Sequence, residues 1–282
     1  MSNKLSKITV IGLGLIGGSI VKALHASSFD GEIVGIDADL RSVAYGLQHK
    51  LITSGGTEIN ALVKGSDLVI IATHLRFYEE IIGELLALDS SLLITDVGSV
   101  KKCDFIHDYV KNNKLNFIGG HPLAGSEKTG FENGVSSLFV DKPYYIIPFN
   151  NKVSDTAKVL ELVGLIGAKA SIMDSEEHDT LMSLTSHVPH LLAALQVNLL
   201  SSSATEGVLE HVGEGFKDAT RIASSSPDLW SDIVLMNKNE ILTQVNKLKD
   251  EMNVLSDLLE QEDRNGVYDF FQKASDMRSR IS

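Results

Sequence analysis

The chain has 282 residues, enough for two domains with cores of their own, and a net charge of −12. That charge argues against nucleic acid or an anionic membrane as the main partner. A single cysteine, Cys103, excludes an internal disulfide and suits a reducing, cytoplasmic setting, and no apolar run approaches the length of a membrane span.

In chain order, the first signal is an apolar strand over 8–11 that meets Gly12-x-Gly14-x-x-Gly17, with a helical pattern at Ile20, Val21 and Leu24 behind it. In that strand-turn-helix setting each glycine has a task. Gly12 allows the tight turn, Gly14 lets backbone approach a pyrophosphate, and Gly17 lets helix and strand pack closely. The free N–H groups of the helix start, around Leu15 and Ile16, and the positive dipole end suit phosphates. A second strand over 32–36 ends at Asp37, where a carboxylate accepts hydrogen bonds from ribose hydroxyls and repels a 2′-phosphate. This favours NAD over NADP. Asp37 also reads as an N-cap of the next helix, and Arg41 is the nearby cation that would serve NADP. Thr73, after a strand over 68–72, is taken as a further cofactor contact.

Strand 92–95 leads into Asp96-Val97-Gly98-Ser99-Val100-Lys101, at the sheet edge where open α/β folds bind ligands. Ser99 reads either as a helix cap or as a partner that orients a catalytic imidazole. Cys103 reads as buried filler. Residues 119–132 then place four glycines, Pro122, His121, Glu127 and Lys128 where no helix or strand period fits. The apolar run 115–118 delivers His121, extended because Pro122 follows, to a Gly-rich loop expected to be catalytic.

Strands are also expected at 116–118, 144–147 and 169–173, after which long helical stripes replace β-like runs. One stripe is Leu181, Leu184, His187 and Leu191. A longer one runs from Ile233 through Asn237, Ile241, Val245, Leu248, Met252 and Leu255 to Leu259. The expected fold is therefore α/β: a Rossmann-type, doubly wound, mostly parallel sheet over 1–173, then an all-helical domain over 174–282. No Lys or Arg occurs from Ala170 to Phe216, so that stretch is expected to be covered by the first domain and by a second subunit. His187 and His190 lack a third ligand at metal-site spacing and are placed in a substrate pocket or interface. Arg221 stands near Asp218 and Trp230, and its isolation points to carboxylate binding in a buried site.

Five segments, taken together, resemble the successive motifs of prephenate dehydrogenases: Gly12 to Ser19, Asp96 to Lys101, Gly119 to Glu127, Ser186-His-Val-Pro-His190, and Asp218-Ala-Thr-Arg-Ile-Ala223. The resemblance covers nearly the whole chain and implies oxidative decarboxylation of prephenate to 4-hydroxyphenylpyruvate, with NAD reduced and CO2 released, in tyrosine biosynthesis. It also implies a homodimer through the helical domain; the chain is expected to have no room for the chorismate mutase segment fused in some relatives and to stop before a C-terminal regulatory domain of the kind others carry. By resemblance His121 accepts the proton of the ring hydroxyl, Ser99 orients it, and Arg221 binds a prephenate carboxylate. Trp230 walls the ring, while Glu127 and Asp218 tune Arg221 or gate the site. An arogenate dehydrogenase and a silent nucleotide-binding protein of the same fold are the alternatives. A 3-hydroxyacid dehydrogenase is disfavoured, because the early catalytic Lys of its helical domain has no counterpart in 170–216.

Overall fold

A computed structural model describes residues 4–27, 29–112, 115–126, 128–149, 152–203 and 207–281. Eight strands form one sheet in the order β3-β2-β1-β4-β5-β6-β7-β8. They are β1 (Lys7–Ile11), β2 (Glu32–Ile36), β3 (Ser54–Gly56), β4 (Leu68–Ile71), β5 (Leu93–Asp96), β6 (Asn116–Pro122), β7 (Pro143–Pro148) and β8 (Lys169–Ile172). All neighbours pair in parallel except β6 and β7. The edge strand β3, of sequence Ser-Gly-Gly, carries no apolar signal and has no counterpart among the predicted strands.

Strands buried on both faces need apolar residues at successive positions, and the sheet shows this. Leu68 and Ile70 join Ile8, Val10, Ile20 and Leu24 in one core, which α1 (Leu15–Ala26) and α5 (Val153–Leu165) cover. Val69 and Ile71 join Ile11, Tyr78, Ile82, Leu85 and Ile106 in the other, under α3 (Tyr78–Leu88) and α4 (Asp104–Lys111). Helix α2 (Leu40–Gln48) adds Val43 to the first core. Strand order reverses between β1 and β4, which opens the crevice where this architecture binds ligands.

The helical part is α6 (Ser175–Met182), α7 (Val188–Ser203), α8 (Glu214–Thr220), α9 (Pro227–Met236), α10 (Lys238–Glu260) and α11 (Arg264–Arg278). Neither predicted stripe survives intact. A single π turn, Ser183–His187, joins α6 to α7 and adds a residue to the period, so Leu184 faces solvent while His187 is buried. The longer stripe divides at Asn237 between α9 and α10, and its apolar face emerges later, with Met252 62% and Leu259 59% exposed. The first domain covers only the start of the stretch that lacks Lys and Arg, where His178 and Asp179 are buried. Leu195 and Leu199 on α7 are 58% and 66% exposed.

Candidate active site

The nucleotide crevice is built by glycines whose missing side chains are required at different points. Gly12 has φ +93°, and a Cβ there would stand 2.5 Å from the Ala72 carbonyl oxygen and 2.9 Å from Thr73 Cγ2. At Gly17 a Cβ would overlap the Gly12 carbonyl oxygen. Gly14 differs, since a Cβ there would meet no protein atom within 4 Å. Packing does not ask for glycine at position 14, so the demand comes from whatever approaches the loop. Gly14 is the residue before α1 and caps it with no side chain, which leaves the N–H groups of Leu15, Ile16 and Gly17 without intrahelical partners. An anion such as a pyrophosphate fits that arrangement.

Asp37 completes the crevice from the end of β2. Its two oxygens accept the Leu13 and Asp39 backbone N–H groups at 2.6 and 2.8 Å. A carboxylate offers about four acceptor sites, so capacity for two hydroxyls remains. The helix cap of α2 is Asp39, not Asp37. Arg41 is turned to the same Asp39, with Nη2 to Oδ2 at 2.8 Å, and its side chain is 92% exposed.

His121 lies in a strand and not in a loop. β6 runs through Pro122, and His121 is paired with Tyr145 of β7. Gly119 and Gly120 serve this strand, for a Cβ on Gly120 would stand 2.4 Å from the Asp96 carbonyl oxygen and 2.5 Å from Tyr144 Oη. The far end of the Gly-rich segment serves packing. Phe131 is fully buried against Gly18 of α1, and Lys22 Nζ donates to the carbonyls of Phe131 and Gly134 at 2.9 and 2.8 Å. Glu127 lies outside the described residues.

Beneath His121 sits a buried ion pair that composition does not reveal. Asp96 ends β5 with its Oδ1 accepting Gly120 N–H at 2.9 Å, and its Oδ2 accepting Gly98 N–H at 2.8 Å and Lys101 Nζ at 2.5 Å. Both side chains of the pair are 1% exposed. Removing either partner would strand a charge in the interior, which typically costs about 3–5 kcal/mol. Ser99 is half-buried in the same β5–α4 loop. Its hydroxyl makes no hydrogen bond among the described residues, and it caps no helix, since α4 starts at Asp104 behind Cys103. Cys103 is buried, which pushes its thiol up to about 12 and leaves it inert near neutral pH.

The imidazole partner expected of Ser99 is supplied by another histidine. His121 Nδ1 lies 2.8 Å from His178 Nε2, and His178 Nδ1 lies 2.7 Å from Asp179 Oδ1. Asp179 also accepts the Lys101 and Lys102 backbone N–H groups at 2.9 and 2.8 Å. Burial lowers the His121 pKa well below 6.5, and the nearby Lys101 charge adds to this. The imidazole is therefore neutral at pH 7 and available as a base. His178 and Asp179 stand in an acidic run, Ser175 to Asp179, whose sequence resembles an ordinary helix start, and this hid them.

A second buried cluster flanks the first. Asn237 Nδ2 donates to the Asp179 carbonyl at 2.9 Å and lies 3.1 Å from His187 Nδ1. An amide nitrogen only donates, so His187 Nδ1 accepts and its Nε2 carries the hydrogen. That buried Nε2 has no partner among the described residues. Burial brings the His187 pKa to about 4, so the ring is neutral. His190 donates from Nδ1 to the Ser186 carbonyl at 2.9 Å and stacks on Trp230, with ring centroids 3.6 Å apart. His187 meets the edge of the same indole at 6.0 Å. His187 and His190 thus have separate polar partners, and no three-residue metal cluster occurs among the described residues.

Arg221 stands at the start of the turn after α8, where its charge adds to burial in lowering the His190 pKa. Within one chain it is exposed, against the expectation of a buried arginine. No carboxylate among the described residues lies within ion-pair distance of its guanidinium, and the exposed Asp218 is no exception.

Comparison with known proteins turns this geometry into a family. The sequence model of the prephenate dehydrogenase nucleotide-binding domain matches residues 20–172, and that of the prephenate dehydrogenase dimerization domain matches 174–273. The chain belongs to the prephenate dehydrogenase family. It is 36% identical to the prephenate dehydrogenase of Bacillus subtilis over 290 aligned positions, covering 100% of this chain and 77% of the relative. A prephenate dehydrogenase of Lactococcus lactis is 30% identical, with 98% and 78% covered. The solved prephenate dehydrogenase of Aquifex aeolicus, in complex with hydroxyphenyl propionate and NAD+, superposes with a TM-score of 0.92 at 29% identity, covering 100% of both chains.

Proposed function

We propose that this protein oxidises prephenate with loss of CO2, using NAD, and that it acts in the cytoplasm as a homodimer with domains at 1–173 and 174–282. The observation that carries the reading is a neutral, buried His121 on the same sheet edge as the Gly12–Gly17 crevice. When bound, the nicotinamide supplies the acceptor for hydride from the carbinol carbon. His121 Nε2 takes the proton of the ring hydroxyl as the carbonyl forms. Breaking the bond to the ring carboxylate releases CO2, and its electron pair aromatises the ring. The proton on His121 returns to the resulting phenolate, so the conversion of prephenate and NAD to 4-hydroxyphenylpyruvate, CO2 and NADH consumes no net proton. A base that is neutral at rest suits this cycle.

Around that step, Arg221 binds a prephenate carboxylate, and the His187 Nε2–H offers a second donor to the substrate. Trp230, braced by His190, walls the ring. Ser99 contacts the cofactor side of the site, with Thr73 beside Gly12, and Asp37 accepts from the ribose. The test is the absorbance of reduced nicotinamide with purified protein and prephenate. NAD should give rapid turnover, with NADP and arogenate as slower arms. No NADH from prephenate, or faster turnover of arogenate, would overturn the assignment.

Asp37→Ser should raise the Michaelis constant for NAD more than it changes turnover, and so narrow the preference over NADP. Because Asp37 also holds Leu13 N–H, Asp37→Asn serves as the control that keeps one acceptor oxygen in place. An unchanged NAD/NADP ratio in Asp37→Ser would leave Asp37 as a brace of the loop alone.

The exposed apolar face of the helical domain supports the homodimer. Leu195, Leu199 and Leu209 are 58%, 66% and 74% exposed in a stretch without Lys or Arg. A surface of this kind is unusual for a monomer and suits a two-fold interface. Light scattering at micromolar concentration should give twice the mass of the chain, and a monomer would sink the reading.

A further inference from the structure

His178 and Asp179 have no part in the reaction as written above, yet both are completely buried and one of them touches the base. Hydrogen-bond valence settles where their protons lie. A carboxylate can only accept, and Asp179 already takes a backbone N–H on each oxygen. The His178 Nδ1 facing it therefore carries hydrogen. A neutral imidazole has one N–H, so His178 Nε2 is a lone pair. Across the 2.8 Å contact, His121 Nδ1 must then be the donor, and His121 Nε2 is left bare.

We propose that His178 and Asp179 are positioning residues that hold His121 in the Nδ1–H tautomer, so that its Nε2 meets the substrate hydroxyl as a base. The inference rests on the dehydrogenase reading for its chemistry. It also assigns the two domains different shares of the base, because β6 supplies His121 and α6 supplies its orientation. Asp179 is itself held by the Lys101 and Lys102 backbone, so the anchor returns to the loop after β5.

The groups that face His121 are His178 and Asp179 from α6, His187 from the π turn, Tyr145 from β7, and the Asp96–Lys101 pair from the β5 loop. Burial lowers the proton affinity of both His121 and His178, so both are neutral at pH 7, as the tautomer chain requires. Once His121 is protonated, its Nδ1–H continues to donate to His178, which stabilises the cation. Loss of that acceptor lowers the basicity of His121 and lets the ring adopt the wrong tautomer.

The test uses the full chain labelled with 15N-histidine, the His121 signals being assigned by their loss in His121→Asn. Nitrogen shifts at pH 7 should show Nδ1 protonated and Nε2 bare at His121. In His178→Leu the signals should move toward the other tautomer, and kcat should fall on the order of 10- to 100-fold with little change in the Michaelis constant. The acid limb of kcat should shift to lower pH. His178→Gln, whose amide oxygen accepts the Nδ1–H, should restore the limb and most of the turnover. A merely structural His178 would leave the limb where it is. Wild-type protein with hydrogen on His121 Nε2, or an unmoved limb in His178→Leu, would overturn the proposal. Absence of prephenate-dependent NADH in the wild type would instead sink the dehydrogenase reading, and the nitrogen shifts would still decide this one.

Discussion

His121→Asn should lower kcat for prephenate by about 10²–10⁴-fold, the range for loss of a general base, while the Michaelis constant changes modestly. In the proposed mechanism His121 contributes as the hydroxyl proton leaves, in the transition state rather than in the bound ground state. Asn keeps a polar group of related size but has no lone pair of comparable basicity. The structure adds a pH dependence. Burial holds the His121 pKa well below 6.5, so the wild-type kcat should stay level as pH falls through 6.5 and decline only further into acid. The sign follows from the base being active when neutral. Steady-state kinetics across pH measures both effects. A His121→Asn enzyme with full turnover would remove the mechanism.

Arg221→Ala should have the opposite profile, raising the Michaelis constant for prephenate while kcat at saturation and NAD affinity survive. A carboxylate is present in the ground state and in the transition state alike, so its partner contributes uniform binding. A hydrogen bond to a charged group contributes about 1.5–3 kcal/mol, which corresponds to roughly a 10- to 100-fold rise. The exposure of Arg221 in one chain favours the lower end, and cover by a second subunit would move the effect upward. Arg221→Lys tests the planar fork as against the charge, and should recover only part of the loss. Unchanged Michaelis constants in Arg221→Ala would transfer carboxylate binding to another group.

Much of the fold was legible because its signals are local. The glycines of 12–17, the acidic residue at the end of the second strand and the apolar runs of the sheet each act on their own neighbours in sequence. Errors came where a distant residue decides. Leu115 to Ile118 reads as a strand that stops before His121, yet pairing with Tyr144 and Tyr145 carries β6 to Pro122. Gly119 and Gly120 read as loop glycines and are strand glycines, because Lys101, Asp96 and Tyr144 crowd the place of any side chain. Ser99 reads as the orienter of His121, and the bond goes to His178 from a different domain.

What the sequence determined by itself is the family and the nucleotide crevice, and it singled out His121 as the candidate base, since each rests on residue types at short, fixed spacing. Only the tertiary structure decided the protonation pattern of the site. The tautomer of His121 depends on His178, and that of His178 on Asp179, which the backbone of Lys101 and Lys102 holds in place. Likewise, the Nε2–H of His187 depends on the amide of Asn237, at the junction of two helices. A proton's position is set by the partner within hydrogen-bond distance, and apart from Asp179, the neighbour of His178, those partners lie some fifty to eighty residues away along the chain. No local pattern encodes such a contact; packing the helical domain onto the C-terminal edge of the sheet creates it.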